Sequence, residues 1–278
     1  MGAAVAVSLA LYGLKRRSAE PAKVELADGT VVTAHSGVWI REVLSETGSS
    51  AGDGIEQFDH VFDGKIILRK GSGLYDYGDG ARLTKPGDKI ESFAVVEGAL
   101  IVVEGGRLGH WDDAKGIVHN DVLEKAGLRC KQLRLQSDDE QVQLFLTGKK
   151  SDRQYVLARL TIKSGFQILT VVPEPIAWIA SVGDRIIFGL ADRKTTLLFE
   201  MPEAGQQRVL AQLEPIVGLA AVGKNLYVSY KKGVFRLVGK SLTPVVSGLG
   251  GALRGSHGNL LVLDSERGRL FSLEGLQP

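Results

Sequence analysis

Five histidines (His35, His60, His110, His119 and His257) and one cysteine, Cys130, are the side chains of this 278-residue chain best suited to hold a metal or attack a substrate. Histidine-bound zinc needs partners at i, i+4 on a helix or on alternate residues of a strand, and no pair has either spacing. His257 falls in Ser256-His257-Gly258-Asn259, where turn chemistry explains a small polar cluster without a metal. Cys130 lies between Arg129 and Lys131, cations of the kind that lower a thiol pKa. It also alternates with Leu128, Gln132 and Arg134 as a strand residue does, and it reads as a buried structural cysteine. No Gly-x-Ser-x-Gly elbow or phosphate-cradling glycine loop precedes a helix. No catalytic residue, no metal site and no cofactor is therefore expected.

Charge offers more. Turns between apolar runs carry Arg69 and Lys70, Arg107, Lys149, Lys150 and Arg153, Arg193 and Lys194, Lys231 and Lys232, and Arg267 and Arg269. That is 12 basic residues against five acids, Glu104, Asp152, Asp192, Asp264 and Glu266. The alternate turns hold Asp28, Asp63, Glu97, Asp138, Asp139, Glu140 and Asp184, with Lys224 as the basic exception. If the two sets emerge on opposite faces of a disc, one face is basic and the other acidic, although the chain as a whole carries only +2. Turn chemistry alone explains Asp-Gly and Glu-Gly pairs, and lysines at hairpin tips discourage edge pairing, so structural and docking readings both stand. A functional basic face would take an anionic partner, either an acidic protein surface or lipid head groups. Nucleic acid is not expected, because the turns lack interleaved aromatic residues for base stacking.

These turns belong to a repeat. The phrase GKNLYVSYKKGVFRL from Gly223 is a tight turn, an apolar strand, a basic turn and a second strand; it recurs from Asp28, Asp63, Glu97, Asp139, Gly183 and His257. The aligned turn positions Gly29, Gly64, Gly98, Asp139, Gly183, Gly223 and Gly258 are spaced by 35, 34, 41, 44, 40 and 35 residues. Residues from Ile176 read as four strands, AWIASVG, DRIIFGLA, TTLLFEM and QRVLAQL, and those from Gly218 repeat the order. The nearly apolar runs IILR, ALIVV, RIIF and LLVL are expected to be innermost strands buried on both faces. Four-stranded units of this length make an all-β chain, a β-propeller. Seven phrases favour seven blades. Six is the alternative, because the first unit has the loop SETGSSAGDG where a fourth strand would lie and the last stops after its third. Closing the ring then requires residues 22–44 to pair with the C-terminal blade. Trp39, Trp111 and Trp178 are expected to wedge between blades.

On these units the chain resembles β-propeller repeat proteins from Val24 onward, without the marks of a specific family. Trp111-Asp112 follows a third strand as the dipeptide of WD40 blades does, but it occurs once. Propellers of the lactonase and arylesterase type are similar in outline, and that resemblance implies a central calcium held by a Glu and several Asn or Asp side chains. This chain has only Asn120, Asn225 and Asn259, and the last two occupy equivalent turn positions.

The N-terminus stands outside the repeat. Gly2 to Leu14 carries no charge, and Lys15, Arg16 and Arg17 follow at once. Such a run is shorter than the roughly 20 residues that span a bilayer, and its positive charges come after the apolar stretch, the reverse of a cleaved secretory signal. It reads as the end of a membrane anchor, as a mitochondrial-type presequence, or as a packed apolar arm. The basic flank would hold the following domain on the cytoplasmic side, and a basic segment upstream would reverse that to the periplasmic side of a bacterial envelope. The organisation is an apolar segment over 1–17, a linker over 18–23 and a propeller over 24–278. The function expected is a non-enzymatic interaction module or scaffold subunit of a membrane-associated complex, whose partners are other protein subunits with acidic surfaces. A metal-dependent propeller hydrolase and a small-ligand sensor are the alternatives.

Overall fold

Short apolar strands separated by Gly-, Asp- and Asn-bearing turns pair with their sequence neighbours, so each blade is built around an antiparallel meander. The computed structural model describes residues 21–26, 28–35, 37–43, 55–60, 66–96, 99–112, 114–137, 142–151, 153–161, 165–191, 194–202, 206–256 and 258–276. Three strands come first: β1 (Ala22–Glu25), β2 (Val31–Ala34) and β3 (Trp39–Val43). Blade 1 holds β4 (Ile55–His60), β5 (Ile66–Lys70) and β6 (Gly73–Asp76), with a single Tyr75–Arg82 bridge beyond them. Blade 2 holds β7 (Ile90–Val96), β8 (Ala99–Glu104), β9 (Arg107–Asp112) and β10 (Gly116–Asn120). One helical turn, α1 (Val122–Lys125), buries Leu123 on the way to blade 3. That blade is β11 (Arg129–Ser137), β12 (Val142–Ser151), β13 (Gln154–Thr161) and β14 (Gly165–Val172). Blade 4 is β15 (Ile176–Val182), β16 (Arg185–Ala191), β17 (Thr196–Pro202) and β18 (Arg208–Leu213). Blade 5 is β19 (Gly218–Val222), β20 (Asn225–Tyr230), β21 (Gly233–Val238) and β22 (Ser241–Ser247). Blade 6 begins with β23 (Ala252–Ser256), β24 (Asn259–Asp264) and β25 (Arg269–Glu274).

The core shows how the sheets are arranged. The buried residues described fall into six clusters, and each joins two consecutive blades. Phe93 of blade 2 packs with Ile67 and Leu74 of blade 1, for instance, and Leu261, Leu263 and Leu270 of blade 6 pack with Ile55, Phe58 and Leu68 of blade 1. That last cluster closes the circle. The fold is a six-bladed β-propeller, held by burial between neighbours; each fully buried Phe, such as Phe93 and Phe271, contributes about 1.5–3 kcal/mol.

The seventh expected blade does not form, because the first unit is divided between two others. Its third strand, β3, pairs antiparallel with β25 and completes blade 6 from the opposite end of the chain. Its first two strands form a hairpin on the outside of blade 5, where β2 meets β22 through Thr33–Ser247 and Ala34–Val246. Pairing of the N-terminal strands with the last blade therefore holds for β3, while β1 and β2 go one blade back. The loop 45–54 and the segment 1–17 lie outside the described residues.

Two further expectations change. The apolar runs IILR, ALIVV, RIIF and LLVL belong to β5, β8, β16 and β24, which are second strands. The second strand is sandwiched by both neighbouring blades, whereas the innermost strand turns one edge to the axis and can carry polar residues there. Trp178 packs at the seam of blades 4 and 5, but Trp39 is 41% exposed beside Gly275 rather than wedged between blades.

Candidate functional site

Alternating strand direction sends the turns between second and third strands, and the links from one blade to the next, to the same end of the disc. The expected basic residues on those turns divide into two groups. Arg267 and Arg269 are committed inside the chain. Arg269 of β25 grips Glu42 of β3 with both arms of its guanidinium, Nε to Oε1 at 2.6 Å and Nη2 to Oε2 at 2.5 Å, and reaches Asp28 at 3.2 Å. Arg267 pairs with Asp264 at 2.5 Å and with Asp28 at 3.3 Å. Hydrogen bonds from Thr30 and the two guanidinium charges hold the Asp28 carboxyl below the usual carboxylate range. These two arginines are a clasp on the ring closure. Lys231 leans on Glu266 at 3.4 Å, Arg107 lies 3.9 Å from Glu124, and Arg69 donates to Gly71 O at 2.8 Å. Lys149 is engaged as well.

By contrast, Lys70, Lys150, Arg153, Lys194 and Lys232 are exposed and make no ion pair among the described residues. Arg193 lies outside the described residues. The links between blades bring Asp88, Asp121, Glu124, Glu174 and Glu214 to this end too, so the face is mixed in sign and its unpaired cations stand as separate points on blades 1, 3, 4 and 5. Counting turns alone left those links out.

At the axis of the same end lies a cavity of about 360 Å³, within the range of small-ligand sites. It was not singled out from the sequence, and a repeated backbone irregularity builds it. In each of blades 1 to 4 the first and second strands slip register by one residue at the same point: between Ile55 and Gln57, Ile90 and Ser92, Cys130 and Gln132, and Ile176 and Trp178. The extra residues are Glu56, Glu91, Lys131 and Ala177, and the last three line the cavity. A bulge re-aims the side chain it carries, which is why bulges gather at binding sites. A signal was available: Ile55-Glu56-Gln57-Phe58, Ile90-Glu91-Ser92-Phe93 and Cys130-Lys131-Gln132-Leu133 set a charged and a polar residue side by side between two apolar ones in three successive units.

The walls are fixed by a buried polar relay across three blades. Gln57, only 7% exposed, donates from Nε2 to Phe93 O at 2.6 Å, and its Oε1 accepts from Ser92 Oγ at 2.9 Å. Ser92 Oγ in turn accepts from the Leu133 amide at 2.9 Å. Blades 1 and 2, and blades 2 and 3, are thus joined by hydrogen bonds at equivalent positions, the Phe93 and Leu133 amides each donating to the polar side chain of the preceding blade. Beside this relay, Glu91 Oε2 is buried and accepts no hydrogen bond among the described residues.

Cys130 lies behind the cavity wall, fully buried on β11. Burial pushes its thiol up to about 12; Glu91 adds to the rise and the opposing pull of the Lys131 charge is smaller. The cationic flank seen in the sequence does not activate it. His119 faces Glu104 at 3.1 Å and His35 faces Ser247 at 3.2 Å. No group of three His, Cys, Asp or Glu side chains converges on a metal position among the described residues.

No family model matches the chain, and no curated protein matches it. Solved structures do. A proposed gluconolactonase superposes with a TM-score of 0.59 at 16% identity, over 86% of this chain and 92% of the other. Luciferin-regenerating enzyme gives 0.58 at 12% identity, over 86% and 96%. BBS1N, solved in complex with ARL6DN, gives 0.53 at 15% identity, over 91% and 90%. The likeness is one of fold. No described helix is long and apolar enough to cross a membrane.

Proposed function

We propose that this chain is a non-enzymatic docking module, a propeller that presents its turn face to a protein partner with an acidic surface. In this reading it is a scaffold subunit of a membrane-associated complex, tethered through residues 1–17 and working in the cell envelope. The observation that carries the reading is the set of five exposed basic side chains, Lys70, Lys150, Arg153, Lys194 and Lys232, that make no ion pair among the described residues while neighbouring arginines are spent on the ring itself. A rigid disc loses little order on binding, and charges spaced around a rim favour encounter and orientation over raw affinity. BBS1N, a propeller-like neighbour solved with a protein partner, supports the same use of the fold.

The test compares full-length wild type with a variant carrying Lys70→Glu, Lys150→Glu, Lys194→Glu and Lys232→Glu, both extracted from membranes. Chains that copurify with the wild type at low salt should be depleted about 10-fold or more from the variant. Equal recovery at low and moderate salt would remove the turn face from the account. The hydrolase reading has its own discriminator: stoichiometric calcium or zinc in the purified protein, with loss of thermal stability on chelation, would replace docking by metal-dependent chemistry.

A further inference from the structure

We propose that the axial cavity binds a small zwitterion, a free amino acid or a similar amine-bearing acid, with its ammonium on Glu91 and its carboxylate on Lys131. Three observations converge on this assignment. The first is placement: the bulges of β7 and β11 put one acid and one base on adjacent inner strands at the same height, and both line the cavity. The second is an unmet valence. Glu91 Oε2 is buried without a donor among the described residues, which costs stability unless something donates to it, and a cationic N–H is the strongest donor for a carboxylate. The third is that Glu91 and Lys131 do not satisfy each other, since no ion pair joins them among the described residues. The two charges are therefore held apart, as a ligand carrying both signs requires.

The remaining surroundings suit a polar ligand of that size. Arg69 adds positive charge on the wall, and Gln132 and Thr147 offer an amide and a hydroxyl. The relay through Gln57 and Ser92 ties three blades together beneath the site, so binding orders little that is not already ordered. Blade 4 supplies Ala177 at the equivalent bulge, and Ile176 beside it, which leaves one apolar flank for a short side chain. None of Lys70, Lys150, Lys194 or Lys232 lines the cavity, so this site stands or falls separately from docking at the rim.

Thermal unfolding of the full-length protein with millimolar free L-amino acids, each compared with its N-acetyl and methyl-ester forms, tests the assignment. At least one free amino acid should raise Tm, and blocking either its amine or its acid should abolish the rise. Glu91→Gln and Lys131→Ala should each weaken binding about 10- to 100-fold, while Lys131→Arg retains it. Lys131 is exposed, so its truncation leaves the fold intact and that comparison decides the matter by itself. The assignment is overturned if no free amino acid shifts Tm, if the blocked forms shift it equally, or if Lys131→Ala binds as wild type does.

Discussion

The seam between blades 5 and 6 and the seams among blades 1, 2 and 3 solve the same packing problem in opposite ways. Between blades 5 and 6 the inner strands β19 and β23 pair with their own second strands without a register slip, and glycine lets the backbones close in. A methyl group on Gly255 would lie 2.1 Å from Ala221 O, and one on Gly250 would lie 1.9 Å from Tyr230 O. Among blades 1 to 3 each inner strand bulges, a polar side chain crosses to the next blade, and a cavity is left at the axis. One repeat can therefore be tuned locally, either to seal the ring or to open a site in it, without altering the strand order.

Breaking the sealed side should cost most. Gly255→Val should lower stability by about 3 kcal/mol or more, because the clash is with backbone that cannot swing away, while Ala177→Val on the open side should cost under about 1 kcal/mol. Urea midpoints of the two variants give the contrast directly, and equal losses would erase the distinction between the seams. Next comes the clasp. Arg269 is only 13% exposed, and Arg269→Ala leaves Glu42 and Asp28 without their shared partner, for an expected loss of about 2–3 kcal/mol. On the open side, Gln57→Leu strands the Phe93 backbone and the Ser92 hydroxyl and should cost about 1–3 kcal/mol, read from the same denaturation curves.

A smaller effect follows pH. Burial opposes the charge of Glu200, but hydrogen bonds from Arg208 and Arg185 overcome it and hold the carboxyl below its ordinary value. A carboxyl depressed on folding adds stability above its unfolded pKa and loses it as pH falls through the folded value. Wild type should therefore lose more stability between neutral and strongly acid pH than Glu200→Gln. At the alkaline end the sign reverses. The Cys130 thiol, raised to about 12, is favoured while protonated, so stability declines as pH climbs from the ordinary thiol range toward that value. Cys130→Ala should flatten that decline, and the native thiol should resist iodoacetamide at mildly alkaline pH. Smallest of all, the four lysine-to-glutamate changes on the rim should move stability by no more than about 0.5 kcal/mol each, since these side chains are exposed and pair with nothing described.

Local patterning made the strands of blades 4 and 5 legible almost residue by residue, because turn glycines and apolar runs mark every hairpin. Blade number was legible only as a choice between seven and six, because the first unit carries three strands like those of the others and lacks a fourth. Only its distant pairings, β3 with β25 and β2 with β22, decide that it builds no blade of its own. Distance in sequence also hid the role of Arg269, whose partner Glu42 is 227 residues away. Glu91 was not singled out, and Lys131 was read only as a neighbour of Cys130, for a different reason. A bulge shifts the alternation by one residue, and a regular alternation such as Leu128, Cys130, Gln132 and Arg134 does not show where it falls.

Because β3 completes a sheet whose other members follow blades 1 to 5 in sequence, the circle stays open until β23 to β25 have been synthesised. Mechanical load has an order as well. Tension applied at the N-terminus arrives first at β1, at the outer margin of a hairpin that adjoins blade 5 through two residue pairs, while β3 grips its neighbour through five. The hairpin should peel away under modest pull and spare the disc.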